Sequence, residues 1–152
     1  MADKWQPVDS TNSGVLQRTF SVDQANRMLP LVRRIVEDIV RDYGRWRERV
    51  DAFEVAVART PRGEINPEAA RLESDAQALA TEIERYLSEL AELGIEFKAF
   101  DIGLVDFPGE RDGRPVYLCW RLGEPEVEYW HELEAGFAGR QPLAAAERSR
   151  AK

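Results

Sequence analysis

His131 is the only histidine in the chain, and it stands among carboxylates. Glu128-x-x-His131 places a carboxylate and an imidazole on adjacent turns of one helix, a spacing that di-iron bundles use in two copies with two further glutamates. One copy is present here. His131-Glu132-Leu133-Glu134-Ala135 begins like a zinc-protease motif, but Ala135 stands where the second histidine belongs, so the protease reading fails. What remains is a mixed set of His131, Glu128 and Glu134, with Cys119 as a soft ligand, suited to a divalent transition metal. Arg140, between two small turns, has the fork geometry to clamp a carboxylate or phosphate, with Trp130 as a neighbouring ligand contact. Against these stand plainer readings. His131 satisfies a hydrogen bond where helix meets sheet, Arg140 pairs with an acidic neighbour, and Cys119 on a strand is a buried small hydrophobe rather than a nucleophile for His131. Asp101 and Asp106 follow no catalytic spacing and read as turn and strand-edge residues. A phosphate-cradling glycine loop and a Gly-x-Ser-x-Gly elbow are both missing from the sequence.

Composition narrows the classes. With 152 residues, 43% apolar and 32% charged, the chain is long enough for one domain with a modest core. No apolar run reaches the eighteen or so residues of a membrane span, and Met1 to Gln17 lack the apolar core of a secretory signal. A single cysteine excludes a disulfide framework and fits a reducing cytoplasm. A net charge of −7 argues against nucleic acid as a partner.

The elements that must position these residues fall into two halves. Ser21 and Gln24 form a capping-box pattern. Val32, Val36, Ile39, Tyr43, Trp46, Val50, Phe53 and Val57 then recur at alternating spacings of four and three, a heptad seam. Pro30 predicts a kink, or a short separate helix at 22–28. Asn66 and Pro67 start a second helix after a loop, and Leu72, Ala76, Leu79, Ile83, Tyr86, Leu90 and Leu93 repeat the seam. The two predict a long antiparallel, coiled-coil-like hairpin over 21–93. Residues 27–59 carry eight Arg against six acids, and residues 64–98 carry nine acids against three bases, so opposite charges are expected to flank the seam.

From Ile95 the period changes to two. Strands are expected at 95–100, 103–108 and 115–122, with Asp112-Gly113 as a hairpin turn. Gly123-Glu124-Pro125 then opens a predicted short helix at 125–135. The fold class is α+β, mainly α: the hairpin, a small antiparallel sheet over 95–122, and a short C-terminal helix. One domain spans 19–143, between a flexible N-terminus (1–18) and a flexible tail (144–152).

Two stretches, Phe20-Ser21-Val22-Asp23-Gln24-Ala25-Asn26-Arg27-Met28-Leu29-Pro30 and the segment from Gly103-Leu104-Val105-Asp106-Phe107-Pro108 through Trp120 to Tyr129-Trp130-His131-Glu132-Leu133-Glu134-Ala135-Gly136-Phe137-Ala138-Gly139-Arg140, resemble the DUF2203 family of small prokaryotic proteins of unknown function. The resemblance covers about residues 19–143 and implies a cytoplasmic protein, but no reaction. Sequence alone therefore favours a non-enzymatic cytoplasmic accessory protein. Its protein partner or second copy would meet an apolar patch around Trp120, Trp130 and Phe137. The alternative is a metal- or small-ligand-binding protein, or an enzyme, with its site around His131.

Overall fold

The structure, a computed structural model, describes residues 18–148. Helix α1 spans Val22–Arg59 and α2 spans Pro67–Glu92. The capping box closes as the sequence predicts: the Ser21 hydroxyl accepts from the Gln24 amide at 3.1 Å, and the Gln24 side chain accepts from the Ser21 amide at 2.9 Å. Asn66 caps α2 by accepting from the Glu68 and Ala69 amides at 3.0 and 3.3 Å. Pro30 lies within one continuous α1, so no separate first helix forms. The helices make a hairpin whose seam is buried at Val32, Val36, Ile39 and Trp46 on α1 and at Ala76, Ile83 and Leu90 on α2. Toward the interhelical turn the seam opens, and Val57 is exposed. The expected charge complementarity is mostly local instead. Arg49–Asp75 bridges the helices at 3.8 Å, while Arg41, Arg45 and Arg85 pair within their own helix.

Five antiparallel strands follow in sequential order: β1 (Glu96–Ala99), β2 (Leu104–Arg111), β3 (Arg114–Arg121), β4 (Tyr129–His131) and β5 (Gln141–Pro142). Asp112 and Gly113, both at positive φ (53° and 77°), form the two-residue β2–β3 turn that matches strand twist. Alternation gives the sheet two faces. Phe97, Val105, Phe107, Leu118, Trp120 and Trp130 join the helices in one core. Phe20, just ahead of α1, is tied to the same sheet by its amide on the Pro108 carbonyl (2.7 Å) and its ring edge-on to Phe107 at 5.4 Å.

The short helix expected at 125–135 is not formed; that segment contains β4, and the short C-terminal helix lies later, as α3 (Ala145–Arg148). The physical reason is the open edge of β3. Its unpaired ladder groups are met by Tyr129, Trp130 and His131, residue types that suit a pleated, half-buried surface. Asn26 of α1 guides the chain into the strand by accepting from the Val127 amide at 2.7 Å. Part of the expected tail, 145–148, is thus helical; the rest of it, and the expected N-terminal segment up to residue 17, lie outside the described residues.

Candidate metal centre

The sheet face turned away from the helices carries a polar layer. Register places Glu96 opposite Asp106, Asp106 opposite Cys119, and Cys119 opposite Tyr129, so these four share that face. Tyr117 pairs with His131 one step along it. The His131 ring crosses over β3 to bring Nε2 to 3.0 Å from Asp106 Oδ1. Asp106, Cys119 and His131 are all buried, and one ligand atom from each lies within 4.8 Å of the other two.

Hydrogen-bond roles follow from chemistry. His131 Nδ1 sits 2.7 Å from the Glu132 carbonyl, which can only accept, so Nδ1 carries a hydrogen. In the neutral ring Nε2 is then a lone pair, aimed at a carboxylate oxygen. Two lone pairs cannot face one another at 3.0 Å without a cation between them, so a proton is shared between His131 and Asp106. Burial is the largest influence on Asp106 and pushes its carboxyl up; His131, the Cys119 thiol and Lys98 oppose that rise. The Cys119 thiol is pushed up to about 12, first by burial and then by the Asp106 charge, with Arg140 pulling the other way.

Those positions decide what the trio can do. A nucleophilic cysteine needs an imidazole beside its sulfur and a thiolate near neutral pH. Here the imidazole is engaged with Asp106 at 3.0 Å, and the thiol, raised by burial and by the Asp106 charge, holds its proton. Both features disfavour nucleophilic catalysis. A metal ion held by Asp106, Cys119 and His131 would reverse the logic, since a coordinating thiol gives up its proton and a cation would stand where the shared proton is. The donor set of one nitrogen, one sulfur and one oxygen suits a borderline divalent transition metal. In a tetrahedral site with metal–ligand bonds of about 2.0–2.3 Å, donor atoms stand about 3.3–3.6 Å apart. The Nε2–Oδ1 separation of 3.0 Å is slightly shorter than that, and the sulfur lies within 4.8 Å of both. Histidines that hold a metal commonly donate their other ring nitrogen to a carbonyl, as His131 Nδ1 does to Glu132.

Of the residues singled out by sequence, the structure brings His131 and Cys119 together, with Arg140 beside Cys119, and separates Glu128, Glu134 and Trp130 from them. Glu128 is three positions before His131 on an extended segment, where alternation sends it to the opposite face, and it faces Arg148 at 3.8 Å. Glu134 is exposed, beside Arg114 and Glu132. Trp130 belongs to the core under the Arg111 guanidinium, 4.5 Å from its centroid. Arg140 lies close to Cys119: Nη2 reaches the Cys119 carbonyl at 3.4 Å and Glu124 Oε1 at 2.6 Å, while the guanidinium stacks 4.0 Å from the Tyr129 centroid. The carboxylate of the cluster is Asp106, which sequence reading had placed at a strand edge. Its signal was available: a lone acid in Leu104-Val105-Asp106-Phe107-Pro108, directly opposite Cys119 once the Asp112-Gly113 turn sets the register.

No curated protein and no solved structure matches the chain. Residues 18–143 match the family model described as an uncharacterized conserved protein, DUF2203, and by that match over most of its length the chain belongs to the DUF2203 family.

Proposed function

We propose that this protein binds a divalent transition metal, zinc foremost, through Asp106 Oδ1, Cys119 Sγ and His131 Nε2. The observation that carries the reading is the convergence of three buried donors, His131 Nε2 at 3.0 Å from Asp106 Oδ1 with Cys119 within 4.8 Å, while His131 Nδ1 is turned to the Glu132 carbonyl. Burying an acid, a thiol and an imidazole side by side opposes folding unless the groups are paired or hold an ion. A free thiolate ligand keeps best in a reducing compartment, which favours the cytoplasm. Native mass spectrometry of the full chain, purified without chelator or affinity metal and then given one equivalent of zinc, tests the reading. One retained zinc per chain is expected, lost in His131→Gln with circular dichroism unchanged. A wild-type chain that retains no zinc overturns it.

A second reading, an interaction protein or homodimer, draws support from the far end of the hairpin, where Val55, Val57 and Ile65 are exposed. The patch first expected for it is mostly internal, since Trp120 is 0% and Trp130 7% exposed, leaving Phe137 at 40%. A concentration series by light scattering tests that reading. A mass that stays monomeric at every concentration removes the homodimer.

A further inference from the structure

Three protein donors leave a four-coordinate metal one position short. We infer that Glu96 supplies the fourth ligand, an assignment that rests on the metal-binding reading of Asp106, Cys119 and His131. Glu96 is the cross-strand partner of Asp106, so its side chain rises from the same face one strand away. Its two carboxylate oxygens are in different states. Oε1 takes the Lys98 ammonium at 3.0 Å, whereas Oε2 is sealed from solvent and makes no hydrogen bond of ordinary geometry. The Tyr117 phenol, whose ring lies 5.4 Å from that of His131, is pushed up first by burial, then by hydrogen bonding to the Glu96 carboxylate, and then by the Glu96 and Asp106 charges. The carboxylate thus neighbours Asp106 across the strand pair and touches Tyr117, while standing outside the three-donor group itself.

Glu96 is held less firmly than the cluster. The Asp106–His131 pair is locked in place at 3% and 2% side-chain exposure, but Glu96 and Lys98 are 36% and 40% exposed. An ion pair at that exposure is worth at most about 1 kcal/mol, so little holds Glu96 on Lys98. A glutamate has three torsions with which to swing its head group toward the cluster, and an unbonded buried oxygen gains by meeting a cation. With Glu96 the site becomes four-coordinate, with one nitrogen, one sulfur and two oxygens.

Lys98 is the natural competitor. Its ammonium lies 5.5 Å from the Tyr117 centroid and its charge acts on Asp106, so it occupies the acidic side of the cluster that Glu96 would turn toward a metal. Lys98→Gln is accordingly expected to tighten metal binding.

Cobalt(II) is the probe, because its visible bands report coordination geometry and its near-ultraviolet charge-transfer band reports a thiolate ligand. The full chain is titrated with cobalt(II) as wild type, Glu96→Gln and Lys98→Gln. The wild type is expected to show a thiolate band with intense four-coordinate visible bands. Glu96→Gln should keep the thiolate band, alter the visible bands, and bind at least about tenfold more weakly. A Glu96→Gln titration that matches wild type overturns the assignment while the three-donor site stands. Weaker binding with unchanged visible bands also overturns it, since that is a charge effect without ligation. A wild type with no thiolate band overturns the metal reading itself, and the assignment falls with it.

Discussion

His131 and Asp106 are joined at 3.0 Å across an intervening strand: Asp106 stands on β2, His131 on β4, and the imidazole spans β3 to reach the carboxylate. Cys119 belongs to the strand that is crossed, which brings the third donor into the same small volume. The cluster therefore depends on β4 pairing in one register. A one-residue slip would turn His131 into the core and Trp130 outward.

Asp106→Asn separates the stability of this pair from its chemistry. An asparagine amide can donate to the His131 lone pair without a buried charge. The raised pKa of Asp106 means the native state holds that proton more tightly than the unfolded chain. The stability this carboxyl contributes is whole below its unfolded value of about 4 and drains away as pH rises through its raised folded value. Asp106→Asn should match or exceed the metal-free wild type in melting temperature at pH 8, show a flatter dependence between pH 4 and 8, and lose zinc. Thermal scans of metal-free protein across that range check it; a large loss of stability in the variant would contradict it.

Cys119 should be chemically quiet. It is wholly buried and its thiol is pushed up to about 12, so almost no thiolate exists at pH 8. Iodoacetamide should label the native protein far more slowly than the denatured chain. Zinc should slow labelling further, because the sulfur becomes a ligand. Rapid native labelling at pH 8 would show a sulfur both exposed and ionised, against the structure.

Much of this architecture was legible in the sequence because its signals were local. The capping box at Ser21, the Asn66-Pro67 start of α2, both seams and the Asp112-Gly113 turn each follow from residues within a few positions of one another. The segment around His131 was misread as a helix for the complementary reason. Its glutamates and the Pro125 start resemble a helix opening, and only the distant open edge of β3 decides for a strand. That error carried Glu128 and Glu134 into the candidate site on a helical spacing that does not exist. The same gap hid the meeting of Asp106 with His131, which is set by β4 pairing onto β3.

Asn26 links the two halves at one point. Its side-chain oxygen accepts from the amide of Val127, itself wholly buried, at 2.7 Å. Asn26→Ala leaves that amide unsatisfied, at about 1–3 kcal/mol. Because the bond lies two residues before β4, the loss should also loosen His131. Hydrogen exchange should quicken at 127–131 more than within α2. Equal protection in both variant and wild type would mean that β4 is held by its strand pairing alone.

Gly103 is the tightest backbone position in the joint between α1 and the sheet. Its φ is 63°, and a Cβ there would meet Val36 Cγ1 at 2.8 Å and Leu122 Cβ at 2.9 Å. Both neighbours are packed: Val36 is 0% exposed within the seam, and Leu122 is packed against the core and donates its amide to the Gly103 carbonyl at 3.0 Å. Gly103→Ala therefore combines a left-handed backbone with overpacking, together about 2–4 kcal/mol of lost stability. Asp106, three residues on, would shift with β2. The variant should unfold at lower denaturant with an unchanged slope, and whatever remains folded should bind zinc more weakly than wild type. Gly113→Ala is the control: its φ is 77° but open space surrounds it, so only the backbone cost should appear and zinc binding should be untouched.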